Sequence, residues 1–120
     1  MKRRVLIIDD DRWFVESIGR GLRKNFRVAS VDVVESAFPA IEKFKPDFLL
    51  LDLVLGNKNA VTFLNEFISY DDLDNVKVVI LSSVTRDVSR DSLLRLGAIE
   101  VLDKAEITPE LLRQTLESLR

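Results

Sequence analysis

Five polar residues stand where short apolar runs stop. Asp9 and Asp10 follow Val5-Leu6-Ile7-Ile8, Asp52 follows Phe48-Leu49-Leu50-Leu51, Ser82 follows the run from Val76 to Leu81, and Lys104 comes soon after Ile99 to Leu102. If the runs are parallel strands, all five residues lie at one edge of the sheet. Three carboxylates, a hydroxyl and an ammonium would then share one pocket. Crowded carboxylates repel and resist joint ionisation. A hard divalent cation relieves that repulsion, and Mg²⁺ takes one or two carboxylates together with waters and phosphate oxygens. Phosphoryl transfer needs positioning and charge neutralisation more than protein acid–base groups. Lys104 would supply positive charge, Ser82 a hydrogen bond to a phosphoryl oxygen, and one carboxylate the nucleophile that forms an acyl phosphate.

Composition narrows the alternatives. The chain of 120 residues has no Cys and no His. Disulfides, thiolate zinc sites, Cys nucleophiles, imidazole bases and His-ligated metals are therefore excluded. A phosphohistidine would have to sit on a partner, and a metal would have to be held by oxygen. The formal charge of −2, from 18 basic and 20 acidic residues, makes no electrostatic case for direct nucleic acid binding. With 47% apolar and 32% charged residues the chain reads as an ordinary globular domain, one unit over 1–120 that can bury a core without staples. The opening Met-Lys-Arg-Arg is followed by an apolar run too short for a signal peptide. No stretch approaches the roughly 20 apolar residues of a membrane span. The simplest expectation is a soluble, cytoplasmic protein with no membrane partner.

The elements that must position the five residues alternate. The unbroken aliphatic run at 5–8 predicts a strand buried on both faces. Helical spacing of Phe14, Ile18 and Leu22 predicts a helix over 12–26 with Asp11 as its cap, weakened by Gly19 and Gly21. A β-rich stretch over 27–33 follows, then a helix capped by Ser36 that reaches about Phe44 and tolerates Pro39 in its first turn. Pro46 interrupts the chain before the strand at 48–51. A loop at 56–59 leads to a helix over 60–69, with Phe63, Leu64, Phe67 and Ile68 at helical spacing. The next strand is 76–81, the next helix 87–96 with Gly97 as its stop, and the last strand 99–102. Thr108-Pro109 opens the final helix, whose expected buried stripe is Leu111, Leu112, Leu116 and Leu119. This is (βα)₅, an α/β doubly wound sandwich with a parallel sheet covered on both faces and ligands at the carboxyl edge.

With these residues in place, the chain resembles a two-component response-regulator receiver domain of the CheY-like kind over nearly its whole length. Val5-Leu6-Ile7-Ile8-Asp9-Asp10 is similar to that family's first strand and acidic pair. Pro46-Asp47-Phe48-Leu49-Leu50-Leu51-Asp52-Leu53 is similar to its phosphoacceptor strand. Val79-Ile80-Leu81-Ser82-Ser83 and Gly97-Ala98 with Asp103-Lys104 are similar to its later segments. The gaps agree as well, thirty positions from Asp52 to Ser82 and twenty-two from Ser82 to Lys104. The resemblance implies the flavodoxin-like strand order 2-1-3-4-5. It implies that Asp52 accepts a phosphoryl group from a sensor histidine kinase or phosphotransfer protein. Mg²⁺ (or Mn²⁺) would be held by Asp10 directly, by Asp9 partly through water, by Asp52 and by the backbone carbonyl of Val54. Ser82 and Lys104 would hold the phosphoryl oxygens. It further implies a signalling domain rather than an enzyme acting on other molecules, with a C-terminal output domain or a homodimer contacted through the fourth helix, fifth strand and fifth helix.

The chain departs from the family pattern at several positions. Leu55-Gly56-Asn57 and Ala60 alter the loop after the acceptor without removing a ligand side chain. Ala105 stands where the family usually has Pro after the Lys in a cis bond, so either a trans bond with a reshaped loop or a strained cis bond is expected. Val101 replaces the usual Tyr or Phe, which removes the ring that turns inward on activation. Switching would then rest on Ser82 and the loop from Val84 to Arg86. Val54 and Val84 offer nothing to orient an attacking water, so a long-lived phosphoryl state is expected. Trp13, near the acidic residues, is a candidate fluorescence reporter. These departures keep a second reading open, a pseudo-receiver that binds partners without phosphorylation. Two others stand lower. A flavodoxin-like nucleotide binder would want a Gly-rich loop after the first strand. A haloacid-dehalogenase-type phosphatase would want Asp-x-Asp, which Asp9-Asp10-Asp11 formally contains, on a larger fold.

Overall fold

In the computed structural model, which describes residues 1–55, 58–82 and 90–119, the apolar runs lie side by side. Arg3–Ile8 (β1), Phe26–Val31 (β2), Phe48–Asp52 (β3), Lys77–Ser82 (β4) and Ala98–Asp103 (β5) form one sheet in the order β2-β1-β3-β4-β5. Every neighbouring pair is parallel. The helices are Arg12–Leu22 (α1), Ala37–Phe44 (α2), Ala60–Phe67 (α3), Arg90–Arg95 (α4) and Pro109–Ser118 (α5). The expected (βα)₅ sheet and its 2-1-3-4-5 order are both found.

Alternation along the strands sorts the core into two layers. Leu6, Ile8, Leu49, Leu51, Val78 and Ile80 face α2, α3 and α4, packing on Ile41, Phe63, Leu64 and Leu93. Val5, Ile7, Phe48, Leu50, Val79 and Leu81 face α1 and α5, packing on Ile18, Leu22, Leu112 and Leu116. Successive side chains point to opposite faces, so a strand apolar at every position requires both faces to be covered. Asp47 pins the register at the other edge: its carboxylate accepts from Arg4 N at 2.8 Å, and its carbonyl accepts from Lys77 N at 3.0 Å.

Several boundaries and faces differ from expectation. α1 stops at Leu22, and Phe26 opens β2, where its ring is buried edge-on to Phe48. The strand ends at Val31 rather than 33 because the chain turns into a 3₁₀ segment at Val34–Ser36. Ser36 makes no capping hydrogen bond with its side chain. Thr108 does cap α5, its Oγ1 accepting from Leu111 N at 3.1 Å, with Pro109 in the first turn. Leu111 and Ile68 lie outside the core, 42% and 48% exposed. Each is displaced by one position from the residue that faces the sheet, because 3.6 residues per turn leave a neighbour at the stripe's margin outside. Residues 87–89 of the expected fourth helix lie outside the described residues.

α2 ends on Lys45, a non-glycine residue at φ 54 and ψ 62 whose N–H bonds Ile41 O at 2.9 Å. A side chain in the left-handed region crowds its own carbonyl. Lys45→Gly is therefore expected to raise stability by about 0.5–1 kcal/mol, read as a higher urea midpoint with unchanged slope. A lower midpoint would contradict the strain argument.

Candidate functional site

In the order β2-β1-β3, the chain leaves β1 in one direction to reach β2 and in the other to reach β3. The carboxyl edge between β1 and β3 is thus the switch point at which such sheets form a crevice. Asp9 follows β1 there, with its N–H bonded to Val31 O at 3.1 Å, and Asp52 is the last residue of β3. Ser82 closes β4 opposite Asp103, and Lys104 is the next residue after β5. The sheet therefore brings all five sequence-predicted residues to one edge.

The geometry is tight for the acids. One carboxylate oxygen from each of Asp9, Asp10 and Asp52 lies within 4.8 Å of the others. Asp9 and Asp52 are buried, at 2% and 7% exposure, while Asp10 faces solvent. Asp9 Oδ1 accepts from Asp11 N at 2.9 Å. Its Oδ2 has the Lys104 ammonium at 2.8 Å as an ionic partner, but no partner along a hydrogen-bonding direction among the described residues. The same ammonium lies 3.6 Å from Asp52 and 4.0 Å from Asp11. Burial works against the Lys104 charge, but Asp9, with Asp52 and Asp11 behind it, outweighs this and raises the lysine's pKa above its ordinary value. Lys104 is therefore no surface charge; its side chain is only 13% exposed. Ser82 is 1% exposed, too buried for an ordinary turn residue.

This donor set fits a hard divalent cation. Three carboxylate ligands converge, one of them carries an incompletely satisfied buried oxygen, and the Lys104 ammonium partly offsets them. The Val54 backbone lies in a two-residue ladder with Asn59, next but one to Asp52.

The departures resolve unevenly. No cis peptide occurs among the described residues, so the Lys104–Ala105 bond is trans. The chain turns through a 3₁₀ segment at Lys104–Glu106 in which Asp103 Oδ1 accepts from Ala105 N at 2.9 Å. Val101 is half-buried on the α2–α3–α4 layer. Trp13 is 86% exposed. Gly56, Asn57, Val84 and Arg86 lie outside the described residues, as do the side chains of Val54 and Leu55.

Two residues near the ammonium were read from the sequence only as a helix cap and as part of a core stripe. Asp11 Oδ1 caps α1, accepting from Phe14 N at 3.2 Å, while Oδ2 faces Lys104. Phe14 places its ring centroid 4.5 Å from Lys104 Nζ. Neither contact has a sequence signal, since 90 or more positions separate the partners.

Comparison with known proteins identifies the family. The model of the response regulator receiver domain family matches residues 5–117. The transcriptional regulatory protein PrrA of Mycobacterium tuberculosis is 33% identical over 119 residues, which cover 98% of this chain and 50% of that protein. A protein-glutamate methylesterase/protein-glutamine glutaminase of Cereibacter sphaeroides is 29% identical over 88% of this chain and 30% of its own length. The chain thus spans between about a third and a half of these relatives. Among solved structures, the chemotaxis response regulator CheY4 of Vibrio cholerae superposes with a TM-score of 0.88 at 18% identity over all of both chains. The RstA receiver domain of Klebsiella pneumoniae gives 0.84 at 24% identity over 97% of each. The structures share the fold, the matched family model shows the lineage, and this chain belongs to the response regulator receiver domain family.

Proposed function

We propose that this chain is a phosphorylatable receiver, one domain over 1–120, in which Asp52 takes a phosphoryl group from a phosphohistidine of a sensor kinase or phosphotransfer partner. The histidine N–P bond breaks as the Asp52 O–P bond forms, and the partner's imidazole leaves neutral after taking a proton. The observation that carries this reading is the carboxylate triad with Lys104 set 2.8 Å from Asp9 and 3.6 Å from Asp52. Asp9, Asp10 and Asp52, with the Val54 carbonyl, would hold Mg²⁺ or Mn²⁺, which when bound neutralises charge on the phosphoryl oxygens. Lys104 contributes the second positive charge, and Ser82 donates to a phosphoryl oxygen. The chain's own role is signalling, and its setting is cytoplasmic; no helix among the described residues is long and apolar enough to cross a membrane.

The output surface on this reading is α4, β5 and α5, facing a C-terminal output domain or a second copy. Ile99 on β5 and Leu111 on α5 are both exposed there, and the Arg90–Glu100 pair, 2.6 Å apart, ties α4 to β5. Val101 favours a second reading, the pseudo-receiver, because an aliphatic side chain half-buried on this face has no ring to move.

Acetyl phosphate with Mg²⁺ separates the two. Intact mass is expected to show one phosphoryl adduct, absent after chelation with EDTA and absent in Asp52→Asn. A folded protein that takes up nothing would leave only the pseudo-receiver.

A further inference from the structure

We propose that Phe14 is a positioning residue for Lys104, its ring holding the ammonium over the acidic pocket through a cation–π contact independent of the carboxylates. This rests on the receiver reading and adds to it a residue that the acidic motif does not contain.

The ammonium lies 4.5 Å from the ring centroid, inside the roughly 6 Å over which the ring quadrupole attracts a cation. The Lys104 side chain is 13% exposed, so water does little to screen the contact. The ring is on the right face. By strand alternation Asp9 continues Val5 and Ile7, and Asp52 continues Phe48 and Leu50, all toward α1 and α5. Phe14 packs against that same layer. Asp11 ties ring and ammonium together: one oxygen accepts from Phe14 N at 3.2 Å, and the other is 4.0 Å from Lys104 Nζ.

A lysine is a point charge on a flexible four-carbon stem, so it needs anchoring before it can act at a fixed place. Its closest anchors, Asp9 and Asp52, are the groups that the proposed reaction itself engages. Asp9 would turn toward a cation, and Asp52 becomes the phosphoryl carrier. Asp9's hold on the ammonium therefore weakens, and that of Asp52 passes to the phosphoryl group, just when Lys104 must meet a phosphoryl oxygen. The ring's attraction carries no charge that the reaction consumes.

The test uses wild type, Phe14→Leu and Phe14→Tyr, with Phe14→Met standing in if the leucine variant does not fold. In NMR spectra without phosphoryl donor, the Lys104 ε-methylene protons are expected to be shifted upfield by the ring in wild type and Phe14→Tyr, and to return to ordinary values in Phe14→Leu. With acetyl phosphate and Mg²⁺, Phe14→Leu is expected to be phosphorylated about five- to tenfold more slowly, and Phe14→Tyr at close to the wild-type rate. Unshifted lysine protons in wild type overturn the proposal, as does equal loss of rate in the tyrosine and leucine variants, which would mark a packing role. If wild type takes up no phosphoryl group while the upfield shift is present, the receiver reading fails and the proposal falls with it. The intact ring placement would identify the failure as that of the reading.

Discussion

Replacing Lys104 by Met is expected to lower stability by about 3 kcal/mol in EDTA, the typical effect of removing one partner from a buried ion pair. The methionine keeps the apolar stem and removes the charge. Asp9 is then left at 0% side-chain exposure with Oδ2 facing no cation among the described residues, and Asp52 loses a neighbour at 3.6 Å. Three carboxylate oxygens within 4.8 Å then lose the ammonium that offsets them. A divalent cation is the natural replacement, so millimolar Mg²⁺ is expected to recover more stability in the variant than it adds to wild type. Phosphoryl uptake at Asp52 is expected to fall sharply even with saturating Mg²⁺, because the second positive charge at the transferring group is gone. Urea denaturation with and without Mg²⁺ checks the first two points and intact mass the third. An unfolding midpoint indifferent to the substitution would mean that the ammonium contributes nothing to the buried acids.

Gly21→Ala is expected to destabilise the fold by about 2 kcal/mol, although alanine is the better helix former by about 1 kcal/mol. α1 and α5 cross closely here. A Cβ on Gly21 would sit 2.2 Å from Pro109 Cβ and 2.9 Å from its Cγ. Pro109 is a rigid ring in the first turn of α5 and cannot swing aside. The helices must separate, which opens the layer formed by Leu22, Leu112 and Leu116. Lys104 lies just upstream in the turn leading into α5, so the strain is expected to reach phosphoryl uptake as well as stability. Pro109→Gly in the same chain, which removes both clashing atoms, should return part of the loss, giving a coupling that a double-mutant cycle measures. Additive effects of the two substitutions would disprove the contact.

Gly21 also illustrates what a sequence does not carry. Local propensity marks it as a weak point in a helix, and only the approach of α5 makes it a requirement. Ser36 shows the reverse error: its type suits a cap, yet the chain takes a 3₁₀ turn there and leaves the hydroxyl out of the capping bond. Ile68 and Leu111 look like core by type and spacing, but one step around the helix puts each in water.

The sequence by itself determined the architecture and the edge of the sheet at which the five candidate residues meet. Strands that are apolar at every position demand cover on both faces, and alternation with helices then demands a parallel sheet. In a parallel sheet the residues after each strand share an edge, so Asp9, Asp10, Asp52, Ser82 and Lys104 could be named from order and spacing alone. The tertiary structure decided which of them touch and what stands behind them. It sets Lys104 against Asp9 more closely than against Asp52, buries Asp9 while leaving Asp10 in water, and turns Asp11 and Phe14 toward the ammonium. The reason is physical. Burial of apolar strands is encoded by local pattern, whereas a contact between the start of α1 and the turn after β5 depends on how two distant helices pack, which no local pattern records.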